Sequence, residues 1–146
     1  LEEGTMGFRL KIDGSGPVNL SERCITSVNF HSDIPEDSNA RATDHGTELI
    51  IQGKMLFSLG AAVEDSTLNL AKWSVVPSES ADSYRKVQVD VVAADQVVRQ
   101  ITLPNAFVMD YREELDDEHG VGVFYLHVKQ KKDLTQDTTV EGGFGQ

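Results

Sequence analysis

"LPNAFVMDYREELDDEHGVGVFYLHVKQKK", residues 103–132, sets two apolar-rich runs on either side of an acidic knot. The second run ends in Lys129, Lys131 and Lys132. Two extended runs joined by a short polar segment read as a long antiparallel hairpin. The fold follows if the knot is a turn, and a function follows if it is a site. The knot holds Glu113, Glu114, Asp116, Asp117 and Glu118, followed by His119 and Gly120. A calcium loop needs oxygen ligands at alternating positions around an internal glycine, closed by a later bidentate glutamate. Here Leu115 interrupts the acids and the glycine comes at the end. Acid–base work by a carboxylate pair needs unequal environments, one of them dry, and a turn this acidic is wet. The knot is therefore read as a solvated turn. Asp110, on the strand beside Tyr111, is expected to pair with a base across the hairpin.

Working outward, the same period of two recurs. In "MGFRLKI" it puts Phe8, Leu10 and Ile12 on one side and Arg9 and Lys11 on the other. "DGSGP", residues 13–17, is turn chemistry. "CITSVNFHSDI" sets Cys24, Thr26, Val28 and Phe30 against Ile25, Ser27, Asn29 and His31. "ELIIQGKMLF" turns Leu49, Ile51, Met55 and Phe57 the same way, with Gly53 marking a bulge or a close backbone approach. "YRKVQVDVV" sets Val87, Val89 and Val91 against Lys86, Gln88 and Asp90. A tight "AADQ" turn then leads to "VVRQITL". With "NAFVMDYREEL" after Pro104, and the final run, this makes four strands in succession, a meander over 84–131. One segment breaks the period. "EDSTLNLAKWS" offers Asp65 or Ser66 as an N-cap, acids in the first turn, and Leu70, Trp73 and Val76 at helical spacing. Residues 35–47 carry no large apolar side chain, which is long for a loop in a compact domain. The tail predicts a weak strand and a Gly-rich end at 142–146. The expected architecture is all-β with one short α-helix, an antiparallel β-barrel or two-sheet sandwich of seven or so strands. Residues 1–5 read as an appended remnant before a natural start at Met6, and residues 6–141 as a single domain.

The bulk numbers narrow the function. A chain of 146 residues is long enough to bury roughly 70% of its unfolded surface. Its formal net charge of −11 repels a phosphate backbone rather than neutralising it, so no nucleic-acid partner is expected. The single Cys24 forms no disulfide framework and reads as a small buried residue. No run of 18 apolar residues is present, so no membrane-spanning helix is expected. His31, His45, His119 and His127 lack the H-E-x-x-H spacing of zinc proteases. No nucleophile elbow, P-loop or dinucleotide fingerprint is present either. Catalytic residues, metal and cofactor are accordingly expected to be absent.

The order of elements resembles a known family. A first strand, a long polar loop after the second, a mid-chain helix, and the closing pair "ITLPNAFVMDYREE" and "GVFYLHVKQKK" look like the Hcp tube proteins of type VI secretion. They look equally like the tail-tube proteins of contractile phages and phage-like particles. The matching late positions are Leu103, Asn105, Ala106, Val108 and Tyr111. The resemblance implies a β-barrel of two sheets with a flanking helix, and a structural, non-enzymatic subunit. It also implies homo-hexameric rings stacked head to tail, contacts with sheath or baseplate proteins and secreted cargo, and cytoplasmic assembly with export or incorporation in a particle. In the family the loop equivalent to 35–47 reaches an adjacent subunit or ring. The candidate interface is therefore Glu36, Asp37, Asn39, Arg41, Asp44 and His45 in that loop, with Asp116, Asp117 and Glu118 facing Lys129, Lys131 and Lys132 of a neighbour. Two other classes remain open: a ligand- or carbohydrate-binding β-sandwich module and, with less support, a membrane-associated protease or other hydrolase. Aromatics at 7%, with Trp73 in a helical pattern, speak against the carbohydrate module.

Overall fold

The structure, a computed structural model, describes residues 5–33, 46–55, 66–117, 121–131 and 138–142. Eight strands and one α-helix are present among them: β1 (Met6–Ile12), β2 (Val18–Leu20), β3 (Ile25–Asp33), β4 (Gly46–Met55), α1 (Ser66–Ser74), β5 (Arg85–Ala93), β6 (Gln96–Asp116), β7 (Val121–Gln130) and β8 (Thr139–Gly142). A 3-10 turn covers Ala81–Ser83. The strands form one antiparallel sheet in the order β2-β1-β5-β6-β7-β4-β3, with β8 also on β6. The sheet curls until β1 lies against β3, close to opposite ends of that order. The all-β antiparallel expectation holds.

Alternation builds the core. Leu10 and Ile12 from β1, Leu49, Ile51 and Met55 from β4, and Val87 and Val89 from β5 are buried, with Phe124, Leu126 and Val128 from β7 completing the layer. Leu70 and Trp73 of α1 close it, as helical spacing predicts. The helix begins at Ser66 with no acid in its first turn, contrary to the sequence expectation; Asp65 and Phe57 lie outside the described residues. Cys24 is buried, as expected.

The largest departure is in β6. In place of separate strands before and after Pro104, a single strand of 21 residues runs through it. Proline interrupts a ladder unless it sits at a bulge or an edge, and here the ladder supplies a bulge. Val87 faces Leu103 and Arg85 faces Ala106, which leaves an extra residue on β6 at 104–105. The Asn105 N–H is satisfied by Gln130 Oε1 at 3.0 Å. Two further irregularities place Val98 and Met109 as extra residues. Bulges bend a strand and raise its twist, and three of them let β6 curve with the sheet.

Smaller departures have the same cause. Thr26 is the extra residue where β3 slips against β4, so Cys24 and Ile25 are both buried and Thr26 is exposed. Phe30 faces Leu49 yet stays 42% exposed, because β3 is the last strand of the order. Val92 is buried and Val91 only partly so, next to the slip at Val98. Ala94 and Asp95 both have positive φ, the geometry of a two-residue hairpin turn that matches strand twist.

Candidate functional site

The β6–β7 hairpin sorts its charges by position. Its ladder runs from Ala106 opposite Gln130 to Asp116 opposite Val121. Glu113, Glu114 and Asp116 thus belong to the strand itself, and the turn proper starts at Asp117; the acidic knot is a strand tip more than a loop. Lys129 pairs with Phe107 at the other end. Nine residue steps of β6 separate Phe107 from Asp116, about 30 Å at roughly 3.3 Å each. That is several Debye lengths at physiological salt, about 8 Å each. The acidic end and the basic end of one chain therefore do not neutralise each other.

The guanidinium nearest the tip is already engaged. Arg112 donates to Asp110 Oδ2 through Nη2 at 2.7 Å and Nε at 2.9 Å, and lies 4.8 Å from the Tyr125 ring centroid. Asp110 thus takes a partner two residues away on its own strand rather than across the hairpin, a correction to the sequence expectation. The Asp110 contact also holds the Arg112 charge above its ordinary pKa. Leu115 stands among the acids at 66% exposure.

At the basic end, Lys131 Nζ sits 5.2 Å from the Tyr84 ring centroid, and Tyr84 meets Phe107 edge-on at 5.9 Å. Tyr84 and Phe107 also help line a half-open recess of about 100 Å³, with Trp73, Val76, Val108, Ser74, Ser78 and Ser83. Arg85 anchors this end from below. Its side chain is 4% exposed and donates to Asp82 Oδ2 at 2.7 Å, to Asp82 O at 3.1 Å and to Gly16 O at 3.3 Å. Its hydrogen bond to Asp82 is the largest influence holding that carboxyl below the usual carboxylate range. Gly14, at φ +137°, leaves room for the guanidinium that a Cβ would occupy.

A second polar cluster lies on the outward face of β3, β4 and β7. Glu48 accepts from both imidazoles if each carries the proton: Oε2 is 3.2 Å from His31 Nδ1 and Oε1 is 3.1 Å from His127 Nε2. Partial burial opposes ionisation of Glu48. The bonds from His31 and His127, with the charges of His127 and Lys129, outweigh it and bring the carboxyl below its ordinary value. Glu48 and His127 are 79 positions apart in sequence, so only the β4–β7 register brings them together. Alternation alone could have placed each on the outward face, but not beside the other. Among the described residues, no group of three or more His, Cys, Asp or Glu is arranged to hold a metal ion.

A wider cleft of about 640 Å³ opens near the tip, lined in part by Gln52, Gly53, Arg112, Glu114, Phe124 and Tyr125. Of the candidate interface residues, the structure places Asp116 and Asp117 at one end of the hairpin and Lys129 and Lys131 at the other. Glu36, Asp37, Asn39, Arg41, Asp44, His45, Glu118 and Lys132 lie outside the described residues. No helix among the described residues is long and apolar enough to cross a membrane. Sequence reasoning passed over Tyr84 and Phe107, and noted Leu115 only as an interruption of the acidic run.

No protein-family model and no curated protein matches the sequence. Solved structures do match. Hcp1 from Flavobacterium johnsoniae superposes with a TM-score of 0.54 at 13% identity, over 92% of this chain and 96% of that one. The fold is that of the Hcp tube proteins. A chain of the six-fold symmetrised anti-feeding prophage baseplate gives a TM-score of 0.54 at 15% identity, over 97% of both chains. Hcp1 from Escherichia coli EAEC 042 gives 0.52 at 10% identity, over 93% of this chain and 98% of that one. The match therefore spans nearly the whole chain.

Proposed function

We propose that this chain is a structural subunit of the tube of a contractile injection apparatus, of a type VI secretion system, phage tail or phage-like particle. The observation that carries this reading is the near-full-length superposition on Hcp1 proteins and on a chain of a six-fold symmetrised contractile baseplate. Copies close into homo-hexameric rings that stack head to tail, and sheath or baseplate proteins and secreted cargo are the further partners. Assembly takes place in the cytoplasm, before export or incorporation into a particle. The chain works by its surfaces rather than by catalysis, in keeping with the structural neighbours.

The charge distribution supports this. A heterologous contact needs two different patches that fit each other, and the hairpin carries opposite charges at its two ends. Negative-stain imaging with mass measurement of the purified protein tests the reading. Rings of six are the expected result. A monomer at every concentration, with and without a baseplate partner, would overturn it.

A further inference from the structure

Glu48 joins three strands through one carboxylate. It stands directly opposite His31 of β3, and one rung away from His127 of β7, whose own ladder partner is Ile50. Its oxygens are divided between them, Oε2 lying 3.2 Å from His31 Nδ1 and Oε1 lying 3.1 Å from His127 Nε2. The Glu48 and His127 side chains are each 20% exposed, and that of His31 is 63% exposed. β3 is the end strand of the sheet order, and among the described residues its one ladder partner is β4. The His31 bond is therefore a side-chain tether laid across the last rung-to-rung seam of the sheet. A neutral imidazole has a single N–H. With that N–H given to Glu48, Nε2 of His31 and Nδ1 of His127 are the atoms that take up a further proton. Uptake needs no rearrangement, and it turns a neutral donor into a cation. Hydrogen bonds between ionised partners are roughly twice as strong as neutral ones.

We propose that the His31–Glu48–His127 bridge is a proton-operated latch on the end strand: proton uptake by the imidazoles between neutral and mildly acid pH fastens β3 more tightly to β4. Imidazole is the side chain whose charge changes in that range. The surrounding charges are Lys129, opposite Glu48 on β7, and Asp110, opposite His127 on β6 and held by Arg112. β1, which lies against β3, carries Arg9 and Lys11, and Arg9 is tied to Glu22. Among the described residues, Glu48 is the one charged group bonded to either ring, and at that distance it decides the sign of the change. His127 acts through Glu48: by holding Oε1 it aims Oε2 at β3, and is a positioning residue. The carboxyl of Glu48 lies below its ordinary 4.5, so it stays ionised while the imidazoles charge. The latch closes through the histidine range and opens again only in the carboxylate range. None of this depends on the tube reading.

Native-state amide hydrogen exchange of the full chain, followed by NMR at about pH 7.5 and about pH 5.5 and corrected for intrinsic rates, tests the latch. The readout is the protection of β3 amides relative to those of β5, which cancels any change in global stability. In the wild-type chain that ratio should rise about threefold on acidification, the size of effect an exposed ion pair can give. His31→Gln and Glu48→Gln keep a polar side chain that cannot charge, and each should leave the ratio the same at both pH values. His127→Gln should shrink the rise, and salt near 1 M, where the Debye length is about 3 Å, should shrink it in the wild type. His31 is a surface side chain, and circular dichroism checks that its variant keeps the fold. A merely structural His127 would lower β3 protection equally at both pH values. A wild-type ratio that is flat or falls on acidification would overturn the proposal. So would a His31→Gln chain that responds as the wild type does.

Discussion

The guanidinium of Arg85 lies 5.5 Å from the ring centroid of Trp73, whose Nε1 donates to Ser83 O at 3.0 Å. Through this pair, the first turn, the 3-10 turn and α1 are fastened at one point. Arg85→Ala would leave the Gly16 and Asp82 carbonyls without their donor and remove the cation from the indole face. The expected cost is about 2–4 kcal/mol. Arg85→Lys should recover only part of it, because one ammonium cannot reproduce a planar fork of donors. Urea midpoints at an unchanged denaturant slope measure both, and an Arg85→Ala midpoint equal to wild type would contradict the account.

Glu48 makes stability depend on pH in a defined direction. Its folded pKa lies below the ordinary 4.5, so the unfolded chain takes up the proton first as pH falls. The stabilisation is present above about pH 4.5 and is lost as pH drops through the folded value. Glu48→Gln should cost about 0.5–1.5 kcal/mol near neutrality, with the gap to wild type closing in acid. Melting temperatures across that range decide it; a gap that widens in acid would reverse the assigned sign.

Gly53 is closely packed. A Cβ there would fall 2.5 Å from Cys24 O and 2.7 Å from the Phe124 ring. Gly53→Ala should therefore destabilise by about 1–3 kcal/mol, the usual range for overpacking. Thermal or chemical unfolding would show the shift, and a neutral result would mean that β3 can move away from β4 at little cost.

Salt and charge reversal probe association separately from folding. If the hairpin ends meet between copies, assembly should weaken as salt approaches 1 M, where the Debye length is about 3 Å. Lys131→Glu or Asp117→Lys alone should weaken association more than it alters melting, since exposed pairs contribute only about 0–1 kcal/mol to folding. The double reversal should restore part of the association. Sedimentation of the three variants reads this out, and a double reversal no better than either single change would show that these two positions do not face each other.

Much of the fold was legible because alternation is a local signal. Leu10, Leu49, Ile51, Val87 and Val89 were placed on the inner face from period alone, and Leu70 and Trp73 from helical spacing. What alternation cannot carry is a slip in the ladder. Thr26 and Met109 each displace the pattern by one residue, and Pro104 reads as a strand end unless Gln130 is known to serve the N–H beside it. β2, with three residues, is too short to show a period. The site was less legible than the core. Its opposite charges and their placement at the two ends of one hairpin were visible in the sequence, but the pairing of Arg112 with Asp110 was not. The Glu48 cluster likewise depends on strands distant in sequence.

β6 belongs to both halves of the sheet. It pairs with β5 along its first part and with β7 along its second, and the covalent backbone crosses between them without a loop. Among the described residues, the two halves of the sheet are thus tied by one uninterrupted strand. Axial load applied at the hairpin tip passes down a continuous peptide chain and is shared by hydrogen bonds pulled in shear on both flanks. That strand is the stiffening rib of the sheet.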